Sequence, residues 1–173
     1  PEYARGGTSL NHAETKLQRG HLARHKDNAA HGEDNSGTGC YMSNIIPMTA
    51  NLNQGIWSDL EDQHRSIVAN PASGIDEIWV ICGPVISRTL EVEAGRVGDD
   101  IGVPAGAFKI IAWHGDDGTL KAAGYLTWQH DERESFAECV VSVDEIEAMT
   151  GLDFFHLLAN DFEAEAEEFF LIL

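Results

Sequence analysis

The chain has 173 residues, 43% of them hydrophobic, enough for an ordinary globular core. Eleven Lys and Arg stand against 29 Asp and Glu, giving a formal net charge of −18. That total excludes the usual basic composition of a nucleic-acid-binding protein and is a poor one for approaching any polyanion. No apolar run approaches the ~20 residues needed to span a bilayer, and no basic-then-apolar leader opens the chain, so no membrane partner is expected.

In chain order, residues 1–40 are polar and Gly-rich, with one short mixed stretch from Thr15 to Ala23 that predicts a strand running into a loop. Ala29 to Gly39 predicts a surface loop, because Gly, Asn, Asp and Ser favour turns. Tyr41 to Ile46 predicts a short strand stopped by Pro47. A helix is expected from about Leu52 to Val68, with Ile56, Leu60, Ile67 and Val68 near one face of a 3.6-residue period. Asn70-Pro71 followed by Ser73-Gly74 ends it. Ile75 to Val85 is rich in β-branched residues and predicts a strand closed by Gly83-Pro84. Ala107 to Trp113 and Ala122 to Trp128 predict two further strands, made an antiparallel pair by the Gly115–Gly118 turn.

Ser142 with Glu145 three residues on makes a capping-box signature for a last helix that Gly151 would stop. The acidic tail, ending EAEAEEFFLIL, predicts another helix. No repeat and no long linker interrupts the chain, so residues 1–173 are expected to form a single domain. The order of elements predicts an α+β fold with a mixed or antiparallel sheet and helices.

The charge is unevenly spread. Lys16, Arg19, Arg24 and Lys26 place four of the 11 basic residues in one 11-residue window free of acids, beside His21 and His25. By contrast, Asp131 to Leu173 holds 13 of the 29 acidic residues. A local positive site on an acidic body can still bind phosphate.

Three nearby stretches carry chemistry: Gln18-Arg19-Gly20-His21-Leu22, Ser43-Asn44-Ile45-Ile46-Pro47, and Asn51 through Arg65. Phosphodiester hydrolysis needs a base for water, a divalent cation for charge on the phosphoryl oxygens, and cationic groups that hold the phosphate. A His beside an Arg, an Asn at a helix start and further Arg residues supply those types. An imidazole suits the base role because its ordinary pKa lies near working pH.

RGHLA, SNIIP and NLNQGIWSDLEDQHR, taken in order, resemble the DNA/RNA nonspecific endonuclease family, whose catalytic unit is the ββα-metal finger. VICGPV, VPAGAFKIIA and VSVDEIEAMTGLDFF continue the likeness, which covers about Leu17 to Phe155. The resemblance implies a Mg²⁺-dependent endonuclease acting on DNA and RNA without sequence preference, with Mn²⁺ as a substitute metal. It implies His21 as general base, Asn53 as direct metal ligand, and Arg19 and Arg65 at phosphate-stabilising positions. Asn44 matches a residue that supports the active-site loop, and Glu61 an acid acting one layer back. If Asn53 to Glu61 were regular helix, their eight-residue separation would place them ~12 Å apart, too far for both to ligate one ion. The family further implies a secreted, periplasmic or organellar location, and leaves a homo-oligomer open.

This chain departs from the family in places. Gln18 stands where the family has Asp before Arg-Gly-His, so an active-site support loses its charge and keeps its hydrogen bonding. Arg24 stands in place of Pro and Met48 in place of Gln. The chain starts about 20 residues before the motif, where the family carries more sheet, so the expectation is either a trimmed chain or one that lacks the family's first strands. These departures, with the acidic balance, motivate a rival reading: a weakened or inactive nuclease fold kept for binding.

Other features have plainer accounts. His12, His21, His25 and His31 lie in a region of little helical pattern with no CxxC pair, and are expected at the surface and not in a zinc site. Asp116-Asp117-Gly118 lacks the remainder of a calcium loop and predicts a hairpin turn. Trp57, Trp79, Trp113 and Trp128 are expected in the core, and Cys40, Cys82 and Cys139 as buried thiols.

Overall fold

The computed structural model describes residues 17–24, 41–86, 96–97, 101–130, 132–133 and 135–157. Strand β1 (Leu17–His21) pairs antiparallel with β2 (Ile45–Thr49), and two helices follow, α1 (Ala50–Gln54) and α2 (Ile56–Ala69). The chain then builds a four-stranded antiparallel sheet from β3 (Trp79–Val85), β6 (Gly106–His114), β7 (Leu120–Trp128) and β8 (Val140–Val141), in the order β3-β6-β7-β8. Short strands β4 (Arg96–Val97) and β5 (Ile101–Gly102) pair with each other. Helix α3 (Val143–Thr150) is the last element among the described residues. The expected α+β class with antiparallel sheets is what the chain forms.

Both faces of β6 are buried, which explains its nearly unbroken apolar sequence. Phe108, Ile110 and Ala112 face α3, packing with Val143 and Ile146. Ile111 and Trp113 face α2, packing with Leu60 and with Ala123 and Tyr125 of β7. A third cluster, Leu22, Met48, Leu52, Trp57 and Ala107, seats the β1–β2 ribbon and its helices against the sheet. Each fully buried aliphatic side chain in these clusters contributes about 1.5–3 kcal/mol.

Several expected elements shift. The helix expected from Leu52 starts at Ala50, where Thr49 Oγ1 accepts from Leu52 N, and it breaks at Gly55. A Cβ on Gly55 would run into the carbonyl of Asn51, so only glycine lets the two helices meet so closely. Asn53 therefore lies inside α1 and not at a helix start, and the ~12 Å spacing to Glu61 loses its premise of one regular helix. On α2 the buried face is Ile56, Trp57, Leu60, His64 and Ile67, with Val68 exposed.

Tyr41 to Asn44 is a turn rather than a strand, and β2 runs straight through Pro47, which sits opposite Arg19. Proline is tolerated because β2 pairs with β1 alone and the lost N–H is not needed. Pro84 lies inside β3 for the same reason, β3 being an edge strand. Trp79 at that edge is 42% exposed and meets His114 edge-on at 5.3 Å, so it is not core, whereas Trp57 and Trp113 are.

The Gly115–Gly118 hairpin forms as expected, with Gly118 N donating to Gly115 O. Ser142 caps α3 through Glu145 N, and Gly151 ends it in the left-handed region. The complete reciprocal capping box forms at Ser135 and Glu138, ahead of β8. The expected loop at 29–39 and the tail helix lie outside the described residues, as do Cys40, His12, His25 and His31. Cys139 is buried and Cys82 half-buried, both free thiols. No helix among the described residues is long and apolar enough to cross a membrane.

One buried side chain ties the ribbon to the sheet. Gln129, 2% exposed just after β7, accepts from Thr49 N (2.8 Å) and donates Nε2 to the Pro47 carbonyl (2.7 Å). Thr49 Oγ1 in turn donates to the Gln129 carbonyl at 2.6 Å. Replacing Gln129 by Leu strands the buried Pro47 carbonyl and the half-buried Thr49 N–H, at a cost of about 1–3 kcal/mol for a fully buried group. Urea unfolding should show a loss of about 2 kcal/mol or more at unchanged slope. A loss under about 0.5 kcal/mol would mean that water takes over both bonds.

Candidate active site

Gly20 determines how β1 lies on its neighbours. The Met48 side chain, wholly buried on β2, occupies the space that a Cβ on Gly20 would need. Glycine at this position lets the ribbon close over Met48 and brings the strand against α1. Strand alternation then separates Gln18 and Gly20 from Arg19 and His21, which share the opposite face.

The face carrying Gln18 meets the helix directly. Asn53 Nδ2 donates to Gln18 Oε1 at 2.8 Å. With the amide nitrogen turned to Gln18, Asn53 Oδ1 is the atom that can ligate a cation. His21 is fixed through its backbone: its carbonyl accepts from Trp57 Nε1 at 2.9 Å. Asn44 closes the turn beyond, with Oδ1 accepting from Ala23 N and Nδ2 donating to Ala23 O, both 2.8 Å, while its carbonyl accepts from Leu22 N at 2.9 Å. Three bonds from one residue hold Leu22 and Ala23 immediately after His21.

The acids and cations of α2 lie further along. Glu61 Oε2 is 3.8 Å from Arg24 Nε, and Glu61 Oε1 is 3.6 Å from Lys109 Nζ. Asp62 forms a close ion pair with Arg24 Nη1. Arg24 thus spends its charge on α2, so the basic window is less positive than its sequence suggests; Lys16 and Lys26 lie outside the described residues. Arg65 is one turn beyond Glu61 and exposed, on the same side of the helix.

The structure therefore joins Gln18 to Asn53, His21 to Trp57, Asn44 to the turn after His21, and Glu61 to Arg24. Arg19 reaches this group only by sharing a strand face with His21, and Arg65 by helical spacing from Glu61. Sequence reasoning assigned no site role to Trp57 or Lys109, and counted Arg24 only within the basic window. Lys109 left a signal, as the single cation within the apolar run AFKIIAW.

Electrostatically the region behind α2 is dry. Burial first, and Lys109 second, push the His64 imidazole down to about 3. His64 is 4% exposed, packs against the Tyr125 ring at 5.7 Å, and its Nε2 has no hydrogen-bond partner among the described residues. Burial raises the Cys82 thiol, opposed by Lys109. Among the described residues no group of three His, Cys, Asp or Glu could hold a metal ion. A cation here would need a largely aqueous shell, which suits Mg²⁺, an ion that dehydrates reluctantly. An open groove of about 450 Å³ lined by Asn70, Trp113, His114 and Lys121 lies at the other end of α2, away from these residues.

A two-stranded ribbon whose following helix presents an asparagine amide to the first strand is the ββα-metal arrangement, and the described fold is of that class. The comparisons with known proteins agree: the DNA/RNA non-specific endonuclease model matches residues 1–161, and the chain belongs to that family. A nuclease of Serratia marcescens is 31% identical over 125 residues, which cover 72% of this chain and 46% of that protein. A nuclease of Nostoc is 28% identical over 158 residues, 86% of this chain and 54% of the relative. Human mitochondrial endonuclease G is 24% identical over 159 residues, 85% and 51% of the two chains. The chain thus spans about half the length of the curated relatives it matches. Among solved structures, the complex of EndoG with its inhibitor EndoGI superposes with a TM-score of 0.71 at 19% identity, covering 86% of this chain and 63% of that one.

The His64 environment generates a pH prediction. Below about pH 6.5 the unfolded chain protonates this histidine, while the folded protein refuses the proton until about pH 3. Stability is therefore lost as pH falls from 6.5 towards 3. A His64→Leu variant should lose stability less steeply across that window in urea titrations at several pH values. Identical slopes for the two proteins would show that His64 is not what the acid limb reports.

Proposed function

We propose that the protein is a metal-dependent, sequence-nonspecific endonuclease that hydrolyses phosphodiester bonds in DNA and RNA. The observation that carries the reading is the strand–helix junction, where Gln18 binds Asn53 and Trp57 binds His21, in a chain of a nuclease family. His21, as a neutral imidazole, takes the proton from the attacking water. Arg19 and Arg65 stabilise the phosphate as negative charge builds on it. Asn53 Oδ1 would hold the divalent cation, with Mg²⁺ the natural ion and Mn²⁺ a substitute. When bound, the ion neutralises charge on the phosphoryl and leaving oxygens. Backbone phosphates carry no base information, so contacts limited to them give cleavage without sequence preference.

Gln18 has a definite part in this scheme. A carboxylate at this position would accept the Asn53 amide N–H, and the Gln18 carbonyl oxygen accepts it too, so the amide stays oriented with less negative charge nearby and a weaker bond. Residues 1–173 act in this scheme as one nuclease domain.

Digestion of plasmid and single-stranded RNA at low salt, with Mg²⁺, Mn²⁺ or EDTA, tests the reading. Both polymers should be cut with either metal, and EDTA or His21→Ala should each abolish cleavage without unfolding the protein. No cleavage by a folded chain under any metal would leave a nuclease fold kept for binding. Gln18→Leu addresses the support of Asn53. It should raise the Mg²⁺ concentration for half-maximal rate by about tenfold or more, as loss of an outer-shell partner does elsewhere, with a smaller change in the maximal rate. An unchanged Mg²⁺ requirement would remove Gln18 from the orientation of Asn53.

A further inference from the structure

Lys109 lies in the middle of β6, paired with Cys82 on one side and Tyr125 on the other. Its neighbours on the same face, Ala107, Ile111 and Trp113, are buried and apolar, and Lys109 itself is 2% exposed. Burying an ammonium forfeits hydration worth several kcal/mol, and replacing a buried ion pair with apolar groups is often neutral or stabilising. A methionine would fill the row without that loss. Stability alone therefore gives no reason for the cation.

Its contacts supply one. Lys109 Nζ is 3.6 Å from Glu61 Oε1 and 4.2 Å from the centroid of the Trp57 ring. Both partners lie on α2, and both lead to the turn after β1. Trp57 Nε1 donates to the His21 carbonyl at 2.9 Å. Glu61 Oε2 is 3.8 Å from Arg24 Nε, three residues beyond His21. One ammonium in the sheet thus touches the two side chains that grip the two ends of the His21–Arg24 turn.

We propose that Lys109 is a positioning residue for the nuclease site: by fixing Trp57 and Glu61 from the sheet, it sets where α2 holds the His21–Arg24 turn. The cation meets the Trp57 ring through its quadrupole and the Glu61 carboxylate through its charge, so each contact constrains the other. An ion pair that served only to hold the core together would change stability and leave the geometry of His21 alone. The role in cleavage rests on the nuclease reading; the placement of the turn does not.

The experiment uses the full chain as wild type, Lys109→Met, Glu61→Gln and the double variant, with folding checked by thermal unfolding. Lys109→Met should lower kcat on plasmid DNA by about tenfold or more, as small misplacements of catalytic groups do, with KM within about twofold. The His21 ring signals, assigned with His21→Ala, should move in NMR spectra of the metal-free Lys109→Met protein. In the Glu61→Gln background the same substitution should cost markedly less, because one of its two routes is already cut. Unmoved His21 signals in folded Lys109→Met, or fully additive effects, would overturn the proposal. If Lys109→Met does not fold, Lys109→Gln carries the same comparison. If the wild type cleaves nothing, the nuclease reading fails, and the His21 signals still decide whether Lys109 places the turn.

Discussion

The packing of α2 onto the β6 face of the sheet is the contact on which the site depends. A two-stranded ribbon is marginal in water, and a five-residue helix such as α1 cannot stand alone. Trp57 and Leu60 bury their side chains against Ala107, Ile111 and Trp113, and the ribbon is carried on that surface through Met48 and Leu22. The Trp57 indole does two things at once. Its ring belongs to the core, and its Nε1–H fixes the His21 carbonyl. Packing energy in the interior is thereby converted into placement of a residue at the surface.

Charge is handled locally, against the grain of the composition. A chain of net charge −18 presents, at its candidate site, acids that are already engaged: Glu61 lies between Arg24 and Lys109, and Asp62 is paired with Arg24. Two cations facing two carboxylates leave the region near neutral. The same arrangement commits Arg24 to α2, whereas the proposed mechanism assigns phosphate stabilisation to Arg19 and Arg65. Salt should weaken such binding readily, since few phosphates are neutralised.

The Gln18–Asn53 contact orients the asparagine amide through an uncharged acceptor. An amide carbonyl and a carboxylate both accept a hydrogen bond from an asparagine amide, and what differs is the field at the neighbouring oxygen. The turn held by Asn44 and the strand held by Gly20 against Met48 are independent of that charge. The scaffold of the candidate site therefore does not depend on a charge at position 18.

The sequence alone determined the α+β class, the β6–β7 hairpin with its Gly115–Gly118 turn, the capped start of α3, and the family to which the chain belongs. Those features are local: alternation, turn chemistry, a cap, and short motifs in order. It could not show that Pro47 lies inside a strand, because proline's missing N–H matters only where a second neighbour strand would need it. The break at Gly55 was hidden for a similar reason, since the apolar period of α2 runs on across it. Gln18 and Asn53 are 35 residues apart, Trp57 and His21 36, and Glu61 and Lys109 48. Which of these residues meet depends on how the ribbon, the helix and the sheet pack in three dimensions, and no periodicity along the chain records that.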